Sequence, residues 1–386
     1  MIEQWQKDIR DSIDDPETLE NVLGVPASEV RDIIEKYPMR ITPHVLKTIK
    51  EKGDAIWKQV VPSSEEAHED HACSSGDPLH EDEDSPVPNL VHRYPDRVLL
   101  FVTNQCPIYC RFCTRKRFVG SPGTLTPAEL DQVVGYIRAH TEIRDIILSG
   151  GDPLMIVDML LERILKALRD IPHLEIIRIG TRVPGSLPSR ITENLCQMLK
   201  KYHPFYMNLH FNHPDEITPE VAKACGMLAD AGIPLGSQTV LLDGVNDDPE
   251  TMKRLMQKLL AIRVKPYYIY QADLVKGTHH FRTRVEKGLK IISALRGHTS
   301  GMAVPHYVID APNGGGKVAI LPQETLLYMD DDEVLVQNYE GQVARYPQAG
   351  GGRTTASQSI PASVGRGKDE SPCKRLALSV VPFRDE

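Results

Sequence analysis

The stretch Cys106-Pro-Ile-Tyr-Cys110-Arg-Phe-Cys113 follows an apolar run at residues 98–102, so three thiols stand on a loop that leaves a strand. Thiolates are soft ligands that select zinc, copper(I) or iron-sulfur clusters, and a closed structural site takes four of them or histidines in their place. Only three are local. A four-iron cluster held by three cysteines keeps one iron free for an outside ligand, an arrangement suited to chemistry rather than to structure or plain electron transfer. A zinc knuckle lacking one ligand, or three unrelated buried cysteines, are the alternatives.

Working outward, 386 residues suffice for one sizeable core with accessory segments. No apolar run approaches the ~20 residues of a membrane span. The opening Met1-Ile-Glu-Gln-Trp-Gln-Lys7 lacks the basic and apolar regions of a signal peptide, so a cytoplasmic protein is expected. A formal net charge of -8 argues against a broad phosphate-binding surface and against nucleic acid as partner. Seven cysteines, an odd number, indicate reduced thiols rather than disulfides. Cys196 and Cys225 fall within helical patterns and read as buried, whereas Cys73 and Cys373 sit in polar segments.

Residues 1–62 carry helical periodicity, as in Val30, Ile33 and Ile34, and read as a small helical segment. Residues 63–90 turn acidic, with Glu81-Asp82-Glu83-Asp84, and are expected to form a linker or a long surface excursion, solvated in either case. The histidine-containing cluster there (His68, Asp70, His71, Cys73, His80) reads as surface rather than as a metal site. Strands are then expected at 98–103, 145–149, 176–181, 205–211, 235–242 and 267–270, separated by amphipathic helices. Thr126-Pro127-Ala128-Glu129 is a capping box, and Thr218-Pro219-Glu220 repeats the cap and proline. Strand followed by helix, repeated, makes a parallel sheet whose functional loops lie at the carboxyl ends of the strands. The expected division is a helical segment at 1–62, a linker at 63–90, a barrel at 91–325 and an extension with a flexible tail at 326–386.

Two further motifs fall at strand ends. Ser149-Gly150-Gly151-Asp152-Pro153 closes the second expected strand, where glycines admit a close ligand and a carboxylate can meet an ammonium group. Asp310-Ala-Pro-Asn-Gly-Gly-Gly-Lys317 has Ala311 and Val318 where a phosphate-cradling P-loop needs glycine and serine or threonine. Its useful feature is a lysine on a flexible glycine loop, able to form a Schiff base with pyridoxal phosphate (PLP) if cations such as Arg93 and Arg97 hold the phosphate.

The C-x3-C-x2-C spacing resembles that of radical S-adenosylmethionine (SAM) enzymes. More broadly, residues 90–325 resemble the lysine 2,3-aminomutase family. The likeness is carried by His92-Arg-Tyr-Pro-Asp-Arg97, the cysteine segment through Phe118, Leu148 to Leu154, Pro266-Tyr-Tyr-Ile-Tyr-Gln271, Leu295-Arg-Gly-His-Thr-Ser-Gly301 and the Lys317 loop. The resemblance implies an α/β fold, a radical SAM partial (β/α)6 TIM-like barrel. It implies a [4Fe-4S] cluster on Cys106, Cys110 and Cys113, and SAM near Ser149, Gly150, Gly151, Asp152, His210 and Gln238. PLP would be carried by Lys317 with Arg93, Arg97 and Tyr270 around it. Arg115 would take the substrate carboxylate, while Asp273 and Asp310 would grip a remote ammonium group.

The implied activity moves the 2-amino group of L-lysine to C3, giving β-lysine, with an electron donor of flavodoxin or ferredoxin type and a homo-oligomeric assembly. Another amino acid or a protein-bound lysine is the alternative substrate, and a non-catalytic iron-sulfur or zinc module the alternative class. The family's structural zinc is not supported. Asp248 lies where one of its cysteines would fall, and Cys373 is the only cysteine of the tail.

Overall fold

The computed structural model describes residues 2–68, 74–312, 314–322, 326–330 and 333–348. Two compact units divide the chain, Met1–Glu324 and Thr325–Glu386. The first begins with five short helices, α1 (Gln4–Arg10), α2 (Pro16–Leu23), α3 (Ala27–Lys36), α4 (Pro43–Leu46) and α5 (Ala55–Val60). They close around Leu19, Met39, Ile41 and Val60, and Ile108 of the cysteine loop packs into the same cluster. The helical segment therefore grips the loop that the chemistry needs.

The sheet runs β1 (Leu90–Tyr94), β2 (Arg97–Thr103), β3 (Asp145–Gly150), β4 (Ile176–Thr181), β5 (Phe205–His210), β6 (Leu235–Leu241), β7 (Lys265–Gln271), β8 (His306–Ala311) and β9 (Gly316–Ala319), in that spatial order. It curls into a nearly closed, barrel-like wall. Strands β2 to β8 are parallel, and β1 and β9 are antiparallel edges. The crossovers are α6 (Pro127–Ala139), α7 (Asp158–Arg169), α8 (Val183–Ser186) with α9 (Glu193–Lys200), α10 (Pro219–Asp230), α11 (Pro249–Ala261) and α12 (Val285–Leu295). These make the six strand-helix units expected, with β8 as a further parallel strand.

Helix starts follow their caps. The Thr126 hydroxyl accepts from the Glu129 amide at 3.3 Å while the Glu129 carboxylate accepts from the Thr126 amide at 2.8 Å. Asp248 caps α11 by accepting from the amides of Glu250 and Thr251.

Period-2 alternation sorts the strands into two faces. On β3, Ile146 and Leu148 are buried against the helices, while Ile147 and Ser149 face inward and line a cavity. The same holds for Ile177 and Ile179 against Arg178 and Gly180 on β4. Parallel strands covered on both faces are usually apolar on both. Here the inner face is polar because it surrounds a site.

Cys196 and Cys225 are buried, as their helical positions suggest, and Cys73, Asp70, His71 and Cys373 lie outside the described residues. In the second unit β10 (Leu326–Met329), β11 (Glu333–Gln337) and β12 (Val343–Pro347) form an antiparallel sheet.

Candidate active site

The strand ends surround a cavity of about 640 Å³. Every expected site residue lines it: the three cysteines, Ser149, Gly150, Gly151, Asp152, His210, Gln238, Arg93, Arg97, Arg115, Tyr270, Asp273, Asp310 and Lys317. The cysteine loop is held from both sides. Arg40 Nη1 donates to the Cys106 carbonyl at 3.0 Å, and the Arg111 amide donates to the Gln59 carbonyl at 2.9 Å. From the barrel, the amides of Gly151 and Asp152 donate to the carbonyls of Thr103 and Gln105 at 2.6 and 2.8 Å.

A Cβ on Gly151 would lie 2.4 Å from the Gln105 carbonyl oxygen, and one on Gly150, at φ 116°, 2.5 Å from that of Thr103. The glycine pair thus lets the end of β3 touch the start of the cysteine loop.

Asp152 is buried, and its carboxylate accepts from the Thr181 hydroxyl at 2.8 and 2.9 Å and from the Arg182 amide at 2.7 Å. Burial raises its pKa above the usual carboxylate range. Arg182, which the sequence reading missed, donates to Cys110 Sγ at 2.8 Å and pairs with Glu216 at 3.2 Å. Its position just past the end of β4 was the available signal.

The thiols fit a polynuclear cluster better than one ion. Among the described residues, the group of three ligand atoms that close to within 4.8 Å of one another is Glu65, His68 and His279; the cysteines do not form such a group. A tetrahedral zinc would bring its sulfurs to ~3.8 Å of one another. Burial first, and then Asp152 and the neighbouring sulfurs, push the Cys106 thiol well above its ordinary pKa; Cys113 is pushed up to about 11 by burial and Cys110. Such thiols gain most from a cation that takes their charge.

Above them on the inner face, Asn208 Nδ2 and His210 Nε2 are buried with no hydrogen-bond partner in the protein. A ligand with acceptors and donors would satisfy them. Burial and then Arg182 hold His210 down to about 3, so the ring is neutral at pH 7.

The far wall belongs to β7, β8 and β9. Lys317 was expected on a flexible loop, but it lies in β9, directly across from Asp310 in β8. The turn between them is made tight by Gly314 and Gly316, both at positive φ. Lys317 Nζ donates to Asp310 Oδ1 at 3.0 Å and stands 5.5 Å from the centre of the Tyr270 ring. Its amide donates to the hydroxyl of Tyr94, another residue the sequence reading passed over, at 3.0 Å. Gln238 Nε2 donates to the Tyr270 hydroxyl at 3.1 Å. Arg93 pairs with Asp84 at 2.6 Å through Nη2, and Arg97 stacks 3.9 Å over the Tyr94 ring.

The acidic segment, expected as a linker or surface excursion, is not solvated throughout. Glu66 and Glu81 are buried, because every basic residue of Arg111-Phe-Cys-Thr-Arg-Lys-Arg117 meets one of its acids. Glu66 takes Arg111 and Lys116, each at 2.6 Å. Glu81 takes Arg115 at 2.7 Å, and Asp82 takes Arg117 at 2.8 Å. The segment is a strap whose charges complement the tract behind the cysteines, a pairing distant in sequence and so invisible to local reading.

Comparison with known proteins gives two family matches, the radical SAM superfamily over residues 100–256 and lysine-2,3-aminomutase over residues 292–368. The chain is 50% identical to L-lysine 2,3-aminomutase of Fusobacterium nucleatum over 89% of its length and 82% of that protein. It is 51% identical to L-lysine 2,3-aminomutase of Bacillus subtilis, over 87% of its length and 72% of that protein. Glutamate 2,3-aminomutase of Clostridioides difficile matches at 43%, over 89% of the chain and 81% of that protein.

Proposed function

The chain belongs to the lysine 2,3-aminomutase family of radical SAM enzymes, and on that premise we propose that it moves the 2-amino group of L-lysine to C3 to give β-lysine. The observation that carries lysine over glutamate is the pair Asp273 and Asp310, two carboxylates on the cavity wall shared with Lys317. A second side-chain carboxylate would be repelled there, and an ammonium group held. Arg115 supplies the opposite requirement, a guanidinium for the α-carboxylate.

The residues present fit the family's cofactors. Cys106, Cys110 and Cys113 would hold the [4Fe-4S] cluster, with SAM along Ser149, Gly150, Gly151, Asp152, His210 and Gln238. PLP would be carried by Lys317 beside Tyr270, with Arg93 and Arg97 for its phosphate. Bound there, the cluster and SAM supply a radical able to take hydrogen from C3, and PLP supplies the link through which nitrogen migrates.

The protein's own part is positional. Arg115 and the aspartate pair fix the two ends of the substrate, which sets the carbon between them in one place. Asp310, which accepts from Lys317 Nζ, fixes where that nitrogen stands in the cavity. Tyr94 keeps the β9 backbone, and with it Lys317, at the cavity edge. The apolar cap packs on Ile108 and so backs the cysteine loop on its outer side. A cytoplasmic location, a flavodoxin- or ferredoxin-type reductant and a homo-oligomer complete the reading; no helix of the described residues is long and apolar enough to cross a membrane.

Anaerobic incubation of the reconstituted protein with SAM, PLP, dithionite and L-lysine, followed by chromatography, should yield β-lysine. Lys317→Ala should yield none, and L-glutamate should not react. SAM cleavage without β-lysine would turn the search to other amino acids or a protein-bound lysine.

A further inference from the structure

We propose that Glu81 is a positioning residue for substrate recognition, holding Arg115 by one edge so that its other edge is free for the substrate carboxylate. This rests on the aminomutase reading above. Glu81 Oε1 accepts from Arg115 Nε at 3.1 Å and from Nη2 at 2.7 Å, and the Ser149 hydroxyl accepts from Nη1 at 3.0 Å. A guanidinium has five N–H bonds in a planar fork. After Glu81 and Ser149, one remains on each terminal nitrogen, and two donors on one plane are what the two oxygens of a carboxylate need.

The pair is no surface ornament, since the side chains are only 15% and 6% exposed. The Arg115 guanidinium also lies 5.0 Å from the Phe101 ring centre, which restricts its plane from the other side. The strap that carries Glu81 is itself fixed: Asp82 pairs with Arg117 at 2.8 Å, Asp84 with Arg93 at 2.6 Å, and the Ser75 amide donates to the Leu274 carbonyl at 2.9 Å. A strap anchored on both sides of Glu81 holds the carboxylate against Arg115 whether or not a ligand is present. Glu81 also supplies the countercharge that a buried arginine requires.

The test uses the full-length reconstituted enzyme with Glu81→Gln and Glu81→Asp. Four quantities are read: KM and kcat for L-lysine, inhibition by 1,5-diaminopentane, which has both ammonium groups and no carboxylate, and phenylglyoxal labelling of Arg115 followed by peptide mass spectrometry. In Glu81→Gln, KM should rise about tenfold with kcat little changed, the pattern of a lost binding interaction. Diaminopentane should inhibit as before, Arg115 should label faster, and Glu81→Asp should recover part of the KM loss.

A fall in KM would make Glu81 a competitor of substrate and overturn the proposal. So would a parallel weakening of diaminopentane, the mark of a merely structural role, or unchanged labelling of Arg115. If the wild-type protein makes no β-lysine, the choice of L-lysine as substrate fails by itself. The labelling and the binding constants of other α-amino acids then decide the Glu81 role, with the same sign expected for any carboxylate ligand.

Discussion

Asp273 shows how a single carboxylate can report on the arrival of an ammonium group. Burial, and then the charge of Asp310, push its carboxyl up to about 7, with Lys317 partly offsetting them. An ammonium group arriving beside it reverses that balance, so lysine binding near pH 6.5 should release a proton. Calorimetry in buffers of different ionisation enthalpy should detect the release, which should shrink above pH 8 and vanish in Asp273→Asn. The ligand-free protein has the converse stability trend. An acid raised in the folded state stabilises it below the unfolded value of 3.8, and that contribution is lost as pH rises through about 7. Asp273→Asn should flatten that part of the profile. The aspartate itself was legible in the sequence, through family resemblance. Its environment was not, because Asp310 lies on another strand.

At the scale of elements, the decisive joint is that between β3 and the cysteine loop. Alanine at position 151 would force a Cβ to 2.4 Å from the Gln105 carbonyl oxygen, a contact with backbone that no side-chain rotation relieves. Overpacking of this kind costs about 1–3 kcal/mol. Gly151→Ala should therefore fold, with unchanged far-UV circular dichroism, yet bind markedly less iron and sulfide on reconstitution. Full iron content in the variant would show that the loop adapts. Six strands were readable from apolar runs of period two, but β8 was not counted. Its apolar centre, Tyr307, Val308 and Ile309, is short and flanked by polar residues. The site depends on it nonetheless, for Asp310 and the register of Lys317 come from β8 and β9.

For the molecule as a whole, the strap joins pieces that the sequence separates. Glu66, fully enclosed, is the shared countercharge of Arg111 and Lys116. Burial opposes its ionisation, yet the two cations outweigh burial and leave its pKa below the ordinary value. Its contribution is therefore present above pH 4.5 and lost as pH falls through the lowered value. Glu66→Ala would leave two buried cations without it, at a cost of about 3–5 kcal/mol. Urea unfolding at pH 7 should show a loss of this size, and the same comparison in acid should narrow the gap. An equal stability at pH 7 would mean that water reaches the cluster.

The sequence alone determined the barrel class, the three-cysteine loop and a set of expected site residues that the fold gathers around one cavity, since these depend on local periodicity, on spacing within a few residues and on motifs that resemble a family. The acidic stretch could only be read as solvated, because nothing within it pairs its charges. The tertiary structure decided that Glu66 and Glu81 are buried, that the glycine pair packs the cysteine loop, and that Lys317 stands in a strand opposite Asp310. Each depends on groups far apart in the chain, whose desolvation and charge can be judged only when the fold brings them into contact.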